Sequence, residues 1–201
     1  MKRFRVIFMG TPDFAVPCLA RLLDISNVIG VVTQPDKPKG RGQKLLPPPV
    51  KIFAEAHGIE VYQPERVKRP DFVNILQELA PDLIVVVAFG QILSKDILSL
   101  PPLGCVNVHA SLLPRYRGAA PMQWAIVRGE KETGVTTMFM DEGLDTGDML
   151  LQEKLPISQT MTTAELHDAM MQLGADVLEK TILSLAAGTL ERIPQDETHS
   201  T

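Results

Sequence analysis

The chain has 201 residues, 45% of them hydrophobic, with a formal net charge of −4 and an isoelectric point near 5.6. That supports one well-buried core and gives no global attraction to nucleic acid or to an anionic membrane, so a polyanionic partner must be met by a local patch. No apolar run approaches the roughly 20 residues that span a bilayer, the start 1-MKRFRVIFMGTPDF-14 reads as a strand rather than a signal peptide, and the two cysteines, Cys18 and Cys105, read as buried reduced thiols of a cytoplasmic protein.

In chain order, residues 5–9 form an apolar strand ending in the turn 10-GTPDF-14, and a helix follows through Leu23. A second β-branched run covers 27–33. Residues 50–57 have helical spacing and Gly58 stops them; 60–63 is a short strand. A helix over 71–79 has Asp71 as its N-cap after Pro70. Residues 83–88 are continuously apolar, which suits a parallel strand buried on both faces. Strands at 105–109, 134–140 and 148–155, a helix at 119–127 and a long amphipathic helix at 163–187 complete the series. Thr162 and Glu165 have capping-box spacing. Alternating strands and helices predict a doubly wound, mostly parallel α/β sheet of the Rossmann-like kind, whose ligands bind beyond the carboxyl ends of the strands.

Side chains alternate along a strand, so in 105-CVNVH-109 Asn107 and His109 share one face while Val106 and Val108 share the other. Two polar side chains at a strand's carboxyl end are costly there without a partner or a ligand. An imidazole moves protons near neutral pH, and an amide donates to a developing oxyanion without changing charge. Together they suit attack on a carbonyl, and no nucleophile accompanies them. Ser111 follows His109 by two residues but lacks a Gly-x-Ser-x-Gly elbow, and neither Cys-x-x-Cys nor His-Glu-x-x-His occurs, so no metal is expected. The nucleophile therefore comes from the substrate. Asp145, in 141-DEGLDTGDML-150, is a candidate to hold the imidazole, although the spacing alone favours an ordinary Gly/Asp turn between strands.

The blocks N-V-H-A-S-L-L-P-R-Y-R-G-A-A-P, T-G-V-T and D-E-G-L-D-T-G, with the F-M-G-T-P-D-F start, resemble the folate-dependent formyltransferases over almost the whole chain, and most of all the members that formylate initiator methionyl-tRNA in translation initiation. The resemblance implies that an acceptor amine attacks the formyl carbon of 10-formyltetrahydrofolate. It implies that Asn107 and His109 stabilise the tetrahedral intermediate and assist proton transfer, and that Asp145 fixes the imidazole and helps move the proton. It places the folate against Phe89, Gly90, Gln91, Ile92 and Leu93 and against Ser111, Leu112, Pro114, Asp141, Gly143 and Leu144. Neither metal nor ATP is implied, and the expected enzyme is a monomer without a membrane partner. In the tRNA-acting members a C-terminal β-barrel domain helps hold tRNA. Here residues 1–189 correspond to the catalytic domain and 190–201 to the start of the linker, with the barrel absent.

The segment 34-QPDKPKGRGQKLLPPPVK-51 carries Lys37, Lys39, Arg41, Lys44 and Lys51 against Asp36, 5 − 1 = +4 in an acidic chain. By itself it is a solvated loop or a phosphate contact. The resemblance implies that Lys37, Lys39, Arg41 and Lys44 engage the acceptor end of tRNA, with Arg115 and Arg117 as further cations facing phosphate or the acceptor. His57 reads as a surface or cap residue, and His167 in the last helix and His199 in the polar tail read as non-catalytic. Met138, Phe139, Met140, Met170, Met171 and Trp124 read as core. The alternatives are a formyltransferase acting on glycinamide ribonucleotide or an amino-sugar nucleotide, hydrolysis of the formyl donor, and an idle folate- or RNA-binding module. A nicotinamide-dependent oxidoreductase is disfavoured, because 10-GTPDF-14 is not Gly-x-Gly-x-x-Gly.

Overall fold

The computed structural model describes residues 3–39 and 44–201. The chain divides into two units, Arg3–Cys105 and Val106–Thr201. In the first, β1 (Arg5–Gly10) leads through a 3-10 turn (Asp13–Ala15) into α1 (Val16–Ile25), and then to β2 (Asn27–Val32). A short ribbon, β3 (Lys37–Lys39) and β4 (Lys44–Leu46), precedes α2 (Pro49–Ala56), β5 (Val61–Tyr62), α3 (Pro70–Leu79), β6 (Leu83–Val87) and α4 (Lys95–Leu98). The strands of this unit's main sheet are all parallel in the order β5-β2-β1-β6. The chain winds outward from β1 to β5 and then returns to the other side of β1 with β6, the doubly wound pattern expected from the sequence. Val6 to Met9 and the whole of β6 are buried, as strands in a parallel sheet require. The last residue of β1 is Gly10, where a Cβ would lie 2.7 Å from Phe8 Cε1 and 3.0 Å from the Val87 carbonyl oxygen.

Three local assignments in this unit differ from expectation. The N-cap of α3 is Arg69, with Pro70 in the first turn and Asp71 Oδ1 accepting from the Phe72 N–H at 3.0 Å. Proline's fixed φ suits the first helical position, so the helix starts a residue earlier than Asp71 suggested. The basic segment, read as a loop, pairs Lys37 with Leu46 and Pro38 with Leu45. Its exposed Leu45 and Leu46 give no alternating pattern from which a strand could be read. The four residues of α4 are too few to show a helical period.

The second unit holds most of β7 (Cys105–His109), then α5 (Pro121–Val127), β8 (Glu132–Phe139), β9 (Met149–Pro156), α6 (Thr163–Ala187) and a 3-10 turn (Glu197–His199). Here β7, β8 and β9 are antiparallel neighbours, with Asn107 opposite Met138 and His109 opposite Thr136. Buried Met170, Val177, Leu178 and Ile182 line α6, and Thr137 Oγ1 meets Thr181 Oγ1 at 2.7 Å. The capping box forms: Thr162 accepts from the Glu165 N–H, and Glu165 returns the bond to the Thr162 N–H at 2.8 Å. Helix α5 begins two residues later than expected because Ala120 sits at φ 58°. Trp124, read as core, is 50% exposed, with the Arg128 guanidinium 5.6 Å from its ring centre. Its helix has seven residues and buries Ala125 instead, so an indole at this position falls on the outward side.

Candidate active site

His109 ends β7, 6% exposed, while Asn107 is half-buried two residues before it. The imidazole Nε2 lies 2.8 Å from the Tyr116 carbonyl oxygen. A carbonyl only accepts, so Nε2 carries a proton and Nδ1 is the nitrogen able to gain or release one. Nδ1 lies 3.5 Å from Asp145 Oδ2. That same oxygen accepts from the Gly118 N–H at 2.8 Å, and Asp145 Oδ1 accepts from Asn107 Nδ2 at 3.4 Å. One carboxylate thus gathers an amide, an imidazole and a backbone N–H. The ring's tautomer is set by the Tyr116 carbonyl, and Asp145 faces the working nitrogen.

Asp145 reaches this place from a tight loop in which its own backbone has φ 54°. Asp141 Oδ1 holds the loop's start by accepting from the Gly143 N–H at 3.0 Å and Thr146 Oγ1 at 2.6 Å. Gly147 closes it: a Cβ there would lie 1.8 Å from the Phe139 carbonyl oxygen. The loop after β7 is braced from within. Ser111 is fully buried and its hydroxyl donates to the Arg115 carbonyl at 2.6 Å, which makes it a turn lock rather than a nucleophile. Thr136 Oγ1 donates to the Ser111 carbonyl at 2.7 Å and accepts from the Leu113 N–H at 3.1 Å. The peptide between Leu113 and Pro114 is cis.

Tyr116 is 8% exposed and its hydroxyl donates to Glu130, which also pairs with Arg115. Burial, and then Glu130, pushes the phenol above its usual range. Tyr116's hydroxyl, and then Arg115, holds the Glu130 carboxyl below the usual one. Arg117 pairs with Glu197 at 2.8 Å. Both arginines read as facing phosphate are therefore engaged by carboxylates of this chain.

Among the other expected site residues, Leu144 is 65% exposed and Leu112 is half-buried. In the first unit Phe89 is buried, and its carbonyl accepts from Thr11 Oγ1 at 3.0 Å and Gln34 Nε2 at 3.3 Å. Gln91 is occupied internally, accepting from the Val67 N–H at 2.7 Å and donating to the Pro64 carbonyl at 3.3 Å. Leu93 is buried, Ile92 is 83% exposed, and Gly90 is exposed at φ 83°. Lys37 is exposed on β3; Arg41 and the side chains of Lys39 and Lys44 lie outside the described residues. Lys51 is bound to Asp36 at 3.0 Å and Gln63 at 2.9 Å. No group of three or more metal-ligating side chains occurs among the described residues. Sequence reasoning missed the Tyr116 carbonyl, the Gly118 N–H and Gln195, whose Nε2 donates to the Asp145 carbonyl at 2.7 Å. Backbone groups leave no mark on residue type, and Gln195 is 50 positions from its partner.

An amide, an imidazole and a carboxylate without a nucleophile equip an α/β unit for acid–base and oxyanion chemistry on a carbonyl substrate. Residues 2–182 match the formyl transferase family, and the chain belongs to it. It is 62% identical over 194 residues to the methionyl-tRNA formyltransferase of Ruminiclostridium cellulolyticum, a match covering 96% of this chain and 62% of that relative. The chain thus spans a little under two thirds of that protein's length. Among solved structures, glycinamide ribonucleotide transformylase 1 from Symbiobacterium toebii has a TM-score of 0.79 at 19% identity, over 96% of this chain and 95% of that one. The N-formyltransferase from Helicobacter canadensis, solved with folinic acid and dTDP-3-aminofucose, has a TM-score of 0.69 at 22% identity, over 98% of this chain and 70% of that one. Both likenesses are of fold.

Proposed function

We propose that this chain provides the formyl-transferring part of a cytoplasmic, monomeric enzyme that moves the formyl group of 10-formyltetrahydrofolate to the amino group of initiator methionyl-tRNA. The observation that carries the reading is the convergence of Asn107, His109 and the Gly118 N–H on Asp145. Identity of 62% to a methionyl-tRNA formyltransferase supports the acceptor, and folinic acid in the Helicobacter canadensis structure supports a folate-derived donor. The donor supplies a formyl carbon bound to a nitrogen that can leave.

The chain's residues then divide the work. Asn107 Nδ2 donates to the formyl oxygen as the amine adds and negative charge gathers there. His109, anchored through Nε2 on Tyr116, presents a protonated Nδ1 to the same charge. Asp145 receives the proton shed by the attacking amine, directly or through water. As the carbonyl re-forms, His109 Nδ1 gives its proton to the departing nitrogen, and the proton that Asp145 took from the amine passes to Nδ1, 3.5 Å away, which restores both groups. The folate contacts from Phe89 to Leu93 and from Ser111, Leu112, Pro114, Asp141, Gly143 and Leu144, and the tRNA contacts of Lys37, Lys39, Arg41 and Lys44, belong to this proposal. So does the boundary between a catalytic domain at 1–189 and a linker at 190–201.

The test compares charged initiator methionyl-tRNA, glycinamide ribonucleotide and an amino-sugar nucleotide as acceptors of the formyl group. Formylation of methionyl-tRNA is the expected result. Transfer only to a small amine reassigns the acceptor. Release of formate without transfer makes the chain a hydrolase, and folate binding with no reaction makes it an idle module.

A further inference from the structure

Beyond α6 the chain returns to the active-site loop. Ile193 and Met149 exchange both backbone hydrogen bonds, at 2.8 and 2.9 Å, which fixes the approach of the segment. Two residues later Gln195 Nε2 donates to the Asp145 carbonyl at 2.7 Å and to the Gly147 carbonyl at 2.8 Å. Its Oε1 accepts from Arg117 Nε at 3.0 Å and Nη2 at 2.9 Å. Carbonyls only accept and a guanidinium only donates, so the amide has one permitted orientation, and both its hydrogens and its oxygen are engaged. Arg117 is held in turn by Glu197 through Nη1 at 2.9 Å and Nη2 at 2.8 Å. The residue at the far end of this clasp is Asp145, a non-glycine at φ 54°, a backbone state that persists only where the surroundings over-determine it.

We infer that Gln195 is a positioning residue: by tying the Asp145 and Gly147 carbonyls to Arg117 it keeps the Asp145 carboxylate on His109 Nδ1 and the Gly118 N–H. The clasp stands on geometry alone; its effect on turnover rests on the function proposed above. It touches neither Asn107 nor the imidazole directly, so it governs turnover through carboxylate placement rather than through folate affinity.

The test uses the whole chain and the variants Q195E, R117K and Q195A, with D196A as a control. Q195E keeps an oxygen for Arg117 but sets a carboxylate with no donor against two carbonyls. R117K keeps a charge for Glu197 and loses the fork that orients the amide. Asp196 accepts from the Thr198 N–H at 2.9 Å and caps the terminal turn without reaching the loop. The readouts are hydrogen exchange at the Gly118 amide by NMR, thermal midpoint, and kcat and KM for methionyl-tRNA formylation. In Q195E, Gly118 exchange should rise at least about tenfold while β8 amides stay protected. Turnover should fall by about 10–100-fold with KM for the folate within about threefold. R117K should show a smaller change of the same kind, and D196A neither. A folded Q195E that keeps Gly118 protection overturns the inference, whatever its turnover. So does loss of protection with turnover within twofold of the wild type. A wild-type chain inactive on every acceptor defeats the proposed function, and Gly118 exchange alone then decides the clasp.

Discussion

His109 and Asp145 show how much a residue's role depends on what lies around it. Period-two alternation in 105-CVNVH-109 was enough to put the amide and imidazole on one face. It could not say which nitrogen works; that follows from the Tyr116 carbonyl 2.8 Å from Nε2. His109→Ala and Asp145→Asn should each lower kcat by about 10²–10⁴-fold. Folate affinity should change by no more than about threefold, because the proposed mechanism has these groups act mainly in the transition state. Rapid-quench turnover and folate titration by fluorescence check this, and near-native turnover in either variant refutes the assigned roles. The thiols allow a second prediction. Cys105 is 1% exposed and burial pushes it up to about 12; Cys18 is fully buried. The neutral thiol is the form the fold favours. The stability tied to it is therefore complete below the ordinary value of 9.0 and is lost as pH rises toward 12. At pH 8 neither cysteine of the native chain should react with a disulfide reagent on the minutes scale, and both should react at once in denaturant.

At the scale of elements, helix α6 and the basic ribbon make the contrast. The start of α6 was legible because a long apolar period is framed by Thr162 and Glu165, and the structure shows Gly188 capping its end. Removing its cap in Thr162→Ala should cost about 0.5–2 kcal/mol in denaturant unfolding, with the slope unchanged. The ribbon was invisible as structure and visible as charge. Its strands are three residues each and leave two leucines exposed, so no period exists to detect. Its lysines were legible because charge needs no fold to be counted. Alanine at Lys37, Lys39, Arg41 and Lys44 together should weaken tRNA binding and flatten its dependence on salt by roughly three to four units of log–log slope. Folate affinity should stay as it was. Filter binding across a salt series decides it: an unchanged slope removes the ribbon from the tRNA interface.

For the whole molecule, pH response gathers the ion pairs into one measurable curve. The Tyr116 hydroxyl, followed by Arg115, holds Glu130 below its ordinary carboxylate value. The charged form is the one folding favours. Its contribution is therefore complete above the ordinary value and is lost as pH falls through the lowered one. Glu130→Gln should flatten the acid limb of stability below the ordinary glutamate value of 4.5 and leave the neutral plateau lower; chemical denaturation at half-unit steps shows whether it does. The sequence by itself determined the α/β class, the doubly wound parallel strands, the long capped helix, and the pairing of Asn107 with His109. Each of these is written in local periods or in short motifs that are read within a few residues. Tertiary structure alone decided that Tyr116 lends a carbonyl, that Gly118 lends an N–H, that Gln195 and Arg117 brace Asp145, and that Trp124 faces outward. Those outcomes depend on backbone groups common to every residue and on partners up to 78 positions apart, where no local pattern carries the information.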